Sequence, residues 1–330
     1  MSSDAAIRTQ GLRKTFKGSD VEAVRGVDLE VARGEVFGFL GPNGAGKTTT
    51  VRMLCTLLPP TEGTATVAGL DVVKDGAEVR RRIGVALQEI GLDPVQSGRE
   101  LLELQCGLYG LSAARARERT TELLELVGLS DVGDRRTKTF SGGMKRRLDL
   151  ASALVHSPEV LFLDEPTTGL DPASRRTVWE EVRRINEAGT TVFLTTQYLE
   201  EADQLCDRLA IIDAGTIVAE GTPAELKARM GSDVVTLAFA ADGDGGGEDA
   251  RAAAEQALAG LPGLERTVPE ADGLALYVED GAGSITEVVR LLEAAGLRAS
   301  AITVARPSLD DVFLQATGRR LEGAEETPAT

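Results

Sequence analysis

The chain has 330 residues, 42% of them hydrophobic and 27% charged, a balance that fills a sizeable core and excludes an intrinsically disordered polymer; the length calls for one large domain and a smaller companion. A formal net charge of −16 repels phosphate backbones and anionic lipid surfaces, which argues against nucleic acid as a partner. Cys55, Cys106 and Cys206 are too few and too scattered for a disulfide framework or a metal cluster, no run of about eighteen apolar residues or signal-peptide core occurs, and a soluble chain in a reducing cytosol is expected.

From about Ile7 to Met230, short apolar runs alternate with longer segments of helical period, which predicts an α/β domain over residues 1–230 built on a mostly parallel, covered sheet. The apolar strand Val36–Leu40 leads into Gly41, Pro42, Asn43, Gly44, Ala45, Gly46, Lys47, Thr48 and Thr49, and then into a helix. That stretch fits G-x-x-x-x-G-K-[ST]. Its glycines let successive backbone N–H groups curl around phosphates, the helix N-terminus adds partial positive charge, Lys47 reaches the β and γ phosphates, and Thr48 is placed to ligate Mg²⁺.

Further along, Gln88 follows the strand "IGVAL", and "FSGGMKRRLDLASALV" begins with Ser141 as a helix N-cap followed by Gly142 and Gly143, which leave backbone amides bare. This is a second anion site, and with one cradle already present it makes sense if it closes on the γ phosphate held by another subunit. The buried strand "VLFLD" ends in Asp164 with Glu165 next to it; such a pair is costly to bury without a cation, and suits Mg²⁺ binding through water at Asp164 and polarisation of an attacking water at Glu165. The strand "TVFLTT" is followed by Gln197, a strand end at which some hydrolase sites use histidine, yet the single histidine, His156, lies in the helix after Ser141.

Near "KARMGSD" the last helix of the large domain ends and a boundary near residue 231 follows. Residues 231–318 read as a small α+β unit: a strand at Val234–Phe239, a Gly- and Asp-rich loop, a helix from about Glu248, a strand at Leu274–Val278, a helix at Ser284–Ala295 and a strand at Ala299–Val304. Ser284 and Glu287 are spaced as a capping box, and Ile285, Val288, Val289 and Leu292 form one apolar stripe. A short helix in "SLDDVFLQATG" gathers Leu309, Val312 and Phe313 on one face, and the acidic tail, residues 319–330, is expected to be disordered.

The ordered motifs resemble the ATP-binding cassette (ABC) ATPases: the P-loop at Gly41–Thr48, Gln88, the signature at Ser141–Met144, "LFLDE", "TGLD" at 168–171 and the switch segment at 195–198. "TKTFSGGMKRRLDLA" and "LFLDEPTTGLDP" are similar to the ATPase subunits of daunorubicin-resistance-type drug exporters, which also carry a small C-terminal domain ending in a phrase like "SLDDVFL". The resemblance spans nearly all of residues 7–230 and reaches across most of the chain. It implies a P-loop NTPase fold with a mixed sheet core and a helical subdomain at about 89–158, ATP and Mg²⁺ as cofactors, and a head-to-tail homodimer with each ATP between one P-loop and the opposite signature. It also implies a separately encoded transmembrane permease, through which alone the chain contacts the cytoplasmic face of the cell membrane, and efflux of a drug-like compound. By the same resemblance Gln88 contacts Mg²⁺ or the attacking water and senses the permease, Asp171 sits at the dimer interface, and Phe16 stacks on adenine. The segment between Gln88 and Ser141 faces the permease; its apolar residues would serve equally as packing. A soluble ABC-type ATPase not coupled to transport is the alternative, though its usual marks, tandem cassettes or a long coiled-coil insertion, do not occur.

Three positions depart from the commoner pattern. Phe140 replaces a leucine, Met144 a glutamine that would hydrogen-bond the nucleotide, and Gln197 the switch histidine. A neutral carboxamide still donates and accepts hydrogen bonds but carries no proton, so Glu165 is expected to be the main base and Gln197 a γ-phosphate sensor.

Overall fold

The computed structural model describes residues 5–18, 21–88, 91–230, 233–239, 246–270, 273–319 and 321. The chain divides into two compact units, one of residues up to Pro223 joined by the segment from Arg319, the other Ala224–Gly318.

The larger unit opens with two long strands, β1 (Ala5–Thr15) and β2 (Glu22–Ala32), followed by β3 (Val36–Leu40), helix α1 (Lys47–Leu54), β4 (Glu62–Val67), β5 (Leu70–Asp71), α2 (Gly76–Arg82) and β6 (Ile83–Ala86). Three helices follow, α3 (Gly98–Leu108), α4 (Ala113–Leu126) and α5 (Gly142–Ala153). Each starts on a serine: Ser97 forms a capping box with Glu100, and the hydroxyls of Ser112 and Ser141 accept from the backbone N–H three residues on. Then come β7 (Val160–Asp164), α6 (Pro172–Glu187), β8 (Thr191–Thr196), α7 (Leu199–Leu205), β9 (Arg208–Asp213) and β10 (Thr216–Gly221); α8 (Pro223–Ala228) starts at the junction and belongs, apart from Pro223, to the second unit, so the boundary falls earlier than the expected one near residue 231. None of the helices among the described residues is long and apolar enough to cross a membrane.

Six strands form one sheet in the order β10-β9-β3-β8-β7-β6, all parallel except β10 against β9. β3, β7 and β8 are buried at every residue, as both covered faces require. A second, antiparallel sheet in the order β2-β1-β4-β5 adds to the mostly parallel one read from the sequence; in β2 buried and exposed residues largely alternate, so one face is wet and the run is less apolar than β3. Between these layers Phe37, Phe39 and Phe162 each lie 5.6–5.8 Å from the ring of Phe193. All four are wholly buried, and truncating Phe193 to alanine would cost about 3–5 kcal/mol. On the other side of the parallel sheet a second core joins α3–α6 to Val36, Leu161, Leu163, Val192 and Leu194. Phe140 is buried in it and Met144 packs against it, so both departures from the common signature act as core groups.

The register fixes where chemistry can happen. Leu40 pairs with Thr196, Asp164 with Thr195 and Ala86 with Leu163, so the C-terminal ends of β3, β8, β7 and β6 lie side by side. Crevices at such strand ends are where open α/β sheets bind ligands.

The smaller unit contains β11 (Asp233–Ala238), α9 (Gly246–Leu258), β12 (Leu264–Glu270), β13 (Gly273–Val278), α10 (Gly281–Ala294), β14 (Ala301–Ala305) and α11 (Leu309–Thr317), with an antiparallel sheet ordered β12-β13-β11-β14. Val235, Leu237, Leu274, Leu276 and Val278 meet Ala254, Leu258, Val288 and Leu292 of α9 and α10 in one core. The Tyr277 hydroxyl donates to the Asp311 carboxylate of α11, whose Leu309, Val312 and Phe313 are buried as one face. Three readings are corrected here. β12 was not expected: Pro269 and three charged residues make it read as loop, but an edge strand tolerates proline. α10 starts earlier than Ser284, because Asp280 is the N-cap and accepts from the Gly283 N–H, while Glu287 bonds Arg290 and forms no capping box. Val289 is 37% exposed, and the buried stripe is Val288 and Leu292 with Leu291 packed beside them. The loop at 240–245 and the tail at 322–330 lie outside the described residues.

Candidate nucleotide site

The P-loop is shaped by close backbone approach. A Cβ on Gly41 would stand 2.3 Å from the Ile212 carbonyl oxygen, and Gly46, at φ +104° just before α1, would place one 2.4 Å from the Ala23 oxygen. Only glycine fits at either position. Gly46 gives α1 no side-chain cap, so the first amides of the helix face the loop unpaired by a cap.

These elements bound a cleft of about 430 Å³, lined by Pro42, Asn43, Gly44, Gly46, Lys47, Thr48 and Thr49 with Gln88, Glu165 and Gln197 across from them. Thr168, the first residue of the "TGLD" segment, and Ala23, which no motif marks, complete it. Gly41 and Ala45 are buried beneath the loop, where the Ala45 carbonyl accepts from the Gly215 N–H. The buried Lys47 ammonium donates to the carbonyls of Gly41 (2.6 Å) and Pro42 (3.1 Å) and pairs with Glu165 at 3.2 Å. Burial pulls the Lys47 pKa down, and the Glu165 carboxylate beside it works the other way.

Thr48 and Thr195 both donate to Asp164 Oδ1, at 3.2 and 2.6 Å. A hydroxyl and a carboxylate so close form a hard-oxygen pair of the kind Mg²⁺ takes. Glu165 stands in the left-handed region at φ +49°, a conformation an ordinary residue keeps only when its surroundings enforce it. Its N–H is held by the Thr195 hydroxyl at 3.1 Å, and its Oε2 accepts from Thr168 (3.3 Å) and Gln88 (3.5 Å). The carboxylate is thus aimed into the cleft from β7.

Two buried ionic groups beside these carboxylates escaped the sequence reading. Arg146 of α5, 4% exposed, donates to the carbonyls of Leu87, Asp164 and Pro166 and to the Asp149 carboxylate. Glu201 of α7 accepts from Thr167 and from the Trp179 indole, each at 2.9 Å, and burial raises its pKa. The only available signal was helical phase: Arg146 lies four residues before buried Leu150 and Glu201 four before buried Leu205.

Other predicted residues lie outside the cleft's lining. Ser141 caps α5, accepting from Met144 N at 3.2 Å; Ser141 and Gly142 are exposed. Asp171 caps α6, exposed, accepting from the Ser174 N–H and hydroxyl, bonds that hold its carboxyl below its usual value. A Cβ on Gly143 would be 2.9 Å from the Ser174 hydroxyl, so the signature and the Asp171 turn are neighbours. Phe16 is 44% exposed, with Lys14 Nζ 5.6 Å from its ring centre, and does not line the cleft. His156 is also absent from that lining; its Nε2–H is 2.9 Å from the Ile83 carbonyl and its ring stacks on Tyr109 at 4.0 Å.

Residues 24–168 match the ABC transporter family, and residues 221–317 match the C-terminal domain of DrrA1-3-like ATP-binding proteins. Over 97% of its length the chain is 49% identical to the daunorubicin resistance ATP-binding protein DrrA3 of Streptomyces coeruleorubidus, covering 99% of that protein. It is 38% identical to the linearmycin resistance ATP-binding protein LnrL of Bacillus subtilis, over 96% of this chain and 99% of that one. Among solved structures, cbiO1 from Clostridium perfringens, part of an ABC transporter complex, superposes with a TM-score of 0.64 at 25% identity, covering 68% of this chain and 92% of that one. The ATP-binding cassette MJ0796, in a dimeric post-hydrolysis state bound to ADP and Pi, gives 0.60 at 26% identity, over 66% and 98%. A P-loop cleft faced by Glu165 and Gln197, with Asp164 buried behind Thr48, a capped signature helix outside it and near-full-length similarity to resistance ATPases have one explanation: the chain belongs to the ATP-binding subunits of ABC transporters.

Proposed function

We propose that this chain hydrolyses ATP as the motor of an exporter of drug-like compounds, working as a pair of copies on the cytoplasmic face of the cell membrane beneath a separate permease. The observation that carries this reading is the gathering of Lys47, Thr48, Gln88, Glu165 and Gln197 around one cleft while Ser141, Gly142, Gly143 and Asp171 stand outside its lining. A capped glycine-rich helix start beyond reach of the chain's own P-loop suits the ATP of a second copy.

In this reading the P-loop amides of Gly41–Thr49 and Lys47 hold the β and γ phosphates, and Phe16 stacks on adenine. Thr48, Asp164 and Gln88 would hold Mg²⁺, which neutralises charge developing on the phosphate oxygens. Glu165, oriented by Thr168 and Gln88, takes a proton from water as its oxygen bonds the γ phosphorus and the bond to the bridging oxygen breaks. Gln197 donates its amide to a γ-phosphate oxygen, and Asp171 lies at the seam. The permease docks near Leu104 and Leu108 of α3 and Tyr109, its C-cap, which are 50%, 72% and 43% exposed beside a groove of about 390 Å³ that Tyr109, His156 and Asp149 help to line.

The Glu165→Gln variant tests the pairing. With Mg²⁺ and ATP it should lose about 10²- to 10⁴-fold in turnover and elute as a stable dimer in size-exclusion chromatography. A variant that stays monomeric with both, and with its permease present, overturns the two-copy reading.

A further inference from the structure

Arg146 is a full positive charge, 4% exposed, that the chemistry above does not use. A buried guanidinium is tolerated only when its donors are matched. Here Nη1 donates to the Leu87 carbonyl at 2.6 Å and to Asp149 at 3.1 Å, Nε to the Pro166 carbonyl at 2.9 Å and Nη2 to the Asp164 carbonyl at 3.2 Å. Two of those carbonyls flank Glu165, and the third belongs to the residue before Gln88. One rigid fork therefore grips the backbone on both sides of the base and beside the group that orients it. The grip matters most at Glu165, whose φ of +49° needs enforcement from its surroundings. Arg146 itself rides on α5, in the second turn after Ser141.

We infer that Arg146 is a positioning residue that reports the state of the signature helix to the catalytic pair of its own subunit. The inference rests on the two-copy reading. When Ser141 closes on the nucleotide of the second copy, α5 is drawn with it, and the guanidinium moves the carbonyls of Leu87, Asp164 and Pro166 as one body. Glu165 and Gln88 then reach working geometry only when the opposite ATP is in place. The two ATP sites become cooperative without any contact between their nucleotides.

The test is Arg146→Lys, which keeps the charge but replaces the planar fork by a single point donor. Steady-state hydrolysis should show kcat down about 10- to 100-fold with KM for ATP changed less than about threefold, because the fork touches no nucleotide. The Hill coefficient for ATP should fall from above 1 in the native chain to about 1. Placed in the Glu165→Gln background, the same substitution should leave ATP-driven pairing intact. A lysine variant with native kcat and Hill coefficient overturns the inference, as does one whose kcat falls while cooperativity is unchanged. Loss of pairing by Glu165→Gln alone would instead sink the two-copy reading. Should the lysine variant fail to fold, amide hydrogen exchange on the native chain decides: ATP should slow exchange in α5 and at 165–168 together, and slowing in α5 alone refutes the linkage.

Discussion

Gln197 offers the sharpest test of the proposed chemistry. It follows the last residue of β8, lines the cleft and is half-buried, and among the described residues no side-chain partner holds its carboxamide. Truncation to alanine therefore orphans no buried group and should change unfolding free energy by less than about 0.5 kcal/mol. Its kinetic cost should be larger. A hydrogen bond from a neutral amide to a charged phosphoryl oxygen contributes about 1.5–3 kcal/mol, and if it strengthens as charge develops, kcat falls about 10- to 150-fold with KM nearly unchanged. The assay is phosphate release at saturating Mg²⁺ and ATP from pH 6 to 9. Native enzyme should show no histidine limb, because an amide carries no proton, and because burial lowers the pKa of His156, which bonds Ile83 away from the cleft. Gln197→His should introduce such a limb at about pH 6.5, with activity falling as pH rises and the imidazolium that donates to the γ-phosphate oxygen loses its proton. Native kcat and KM in Gln197→Ala would refute the sensor role, and a raised KM with native kcat would show a contact made equally in the ground state.

Two further outcomes are expected. Burial moves the Asp149 carboxyl from 3.8 to about 6, against the nearby Arg146, so the folded state binds more protons than the unfolded one between those values and stability falls as pH rises through that window. Relative to Asp149→Asn, native protein should thus lose up to about 3 kcal/mol between pH 4 and 6.5 in urea unfolding; a difference independent of pH, or of opposite sign, rejects the assignment. Leu108→Asp, at a side chain 72% exposed, should leave fold and isolated ATPase unchanged while permease co-purification drops at least about tenfold; full co-purification moves the docking surface elsewhere.

What was legible in the sequence is what local chemistry demands. A P-loop needs its glycines and lysine within a few residues of one another, and adjacent carboxylates at the end of a five-residue apolar strand need a cation, so Lys47, Thr48, Asp164 and Glu165 announce themselves without a fold. Ser141 likewise shows as a cap because capping is a three-residue affair. Local rules also mislead where competing candidates stand close together: Ser284 and Glu287 have the spacing of a capping box, but Asp280 takes the Gly283 amide first and starts α10 a turn earlier. β12 is a strand because β13 is there to pair with it, not because its own residues prefer it. Tertiary structure supplied the means by which Gln88, Glu165 and Gln197 share the cleft that the family resemblance implied, since strand register brings the ends of β6, β7 and β8 together across more than a hundred residues. It alone decided the part Arg146 plays. A charge on a helix reads as solvated surface until packing removes the water, and only then must its donors find the three carbonyls that hold the base in place.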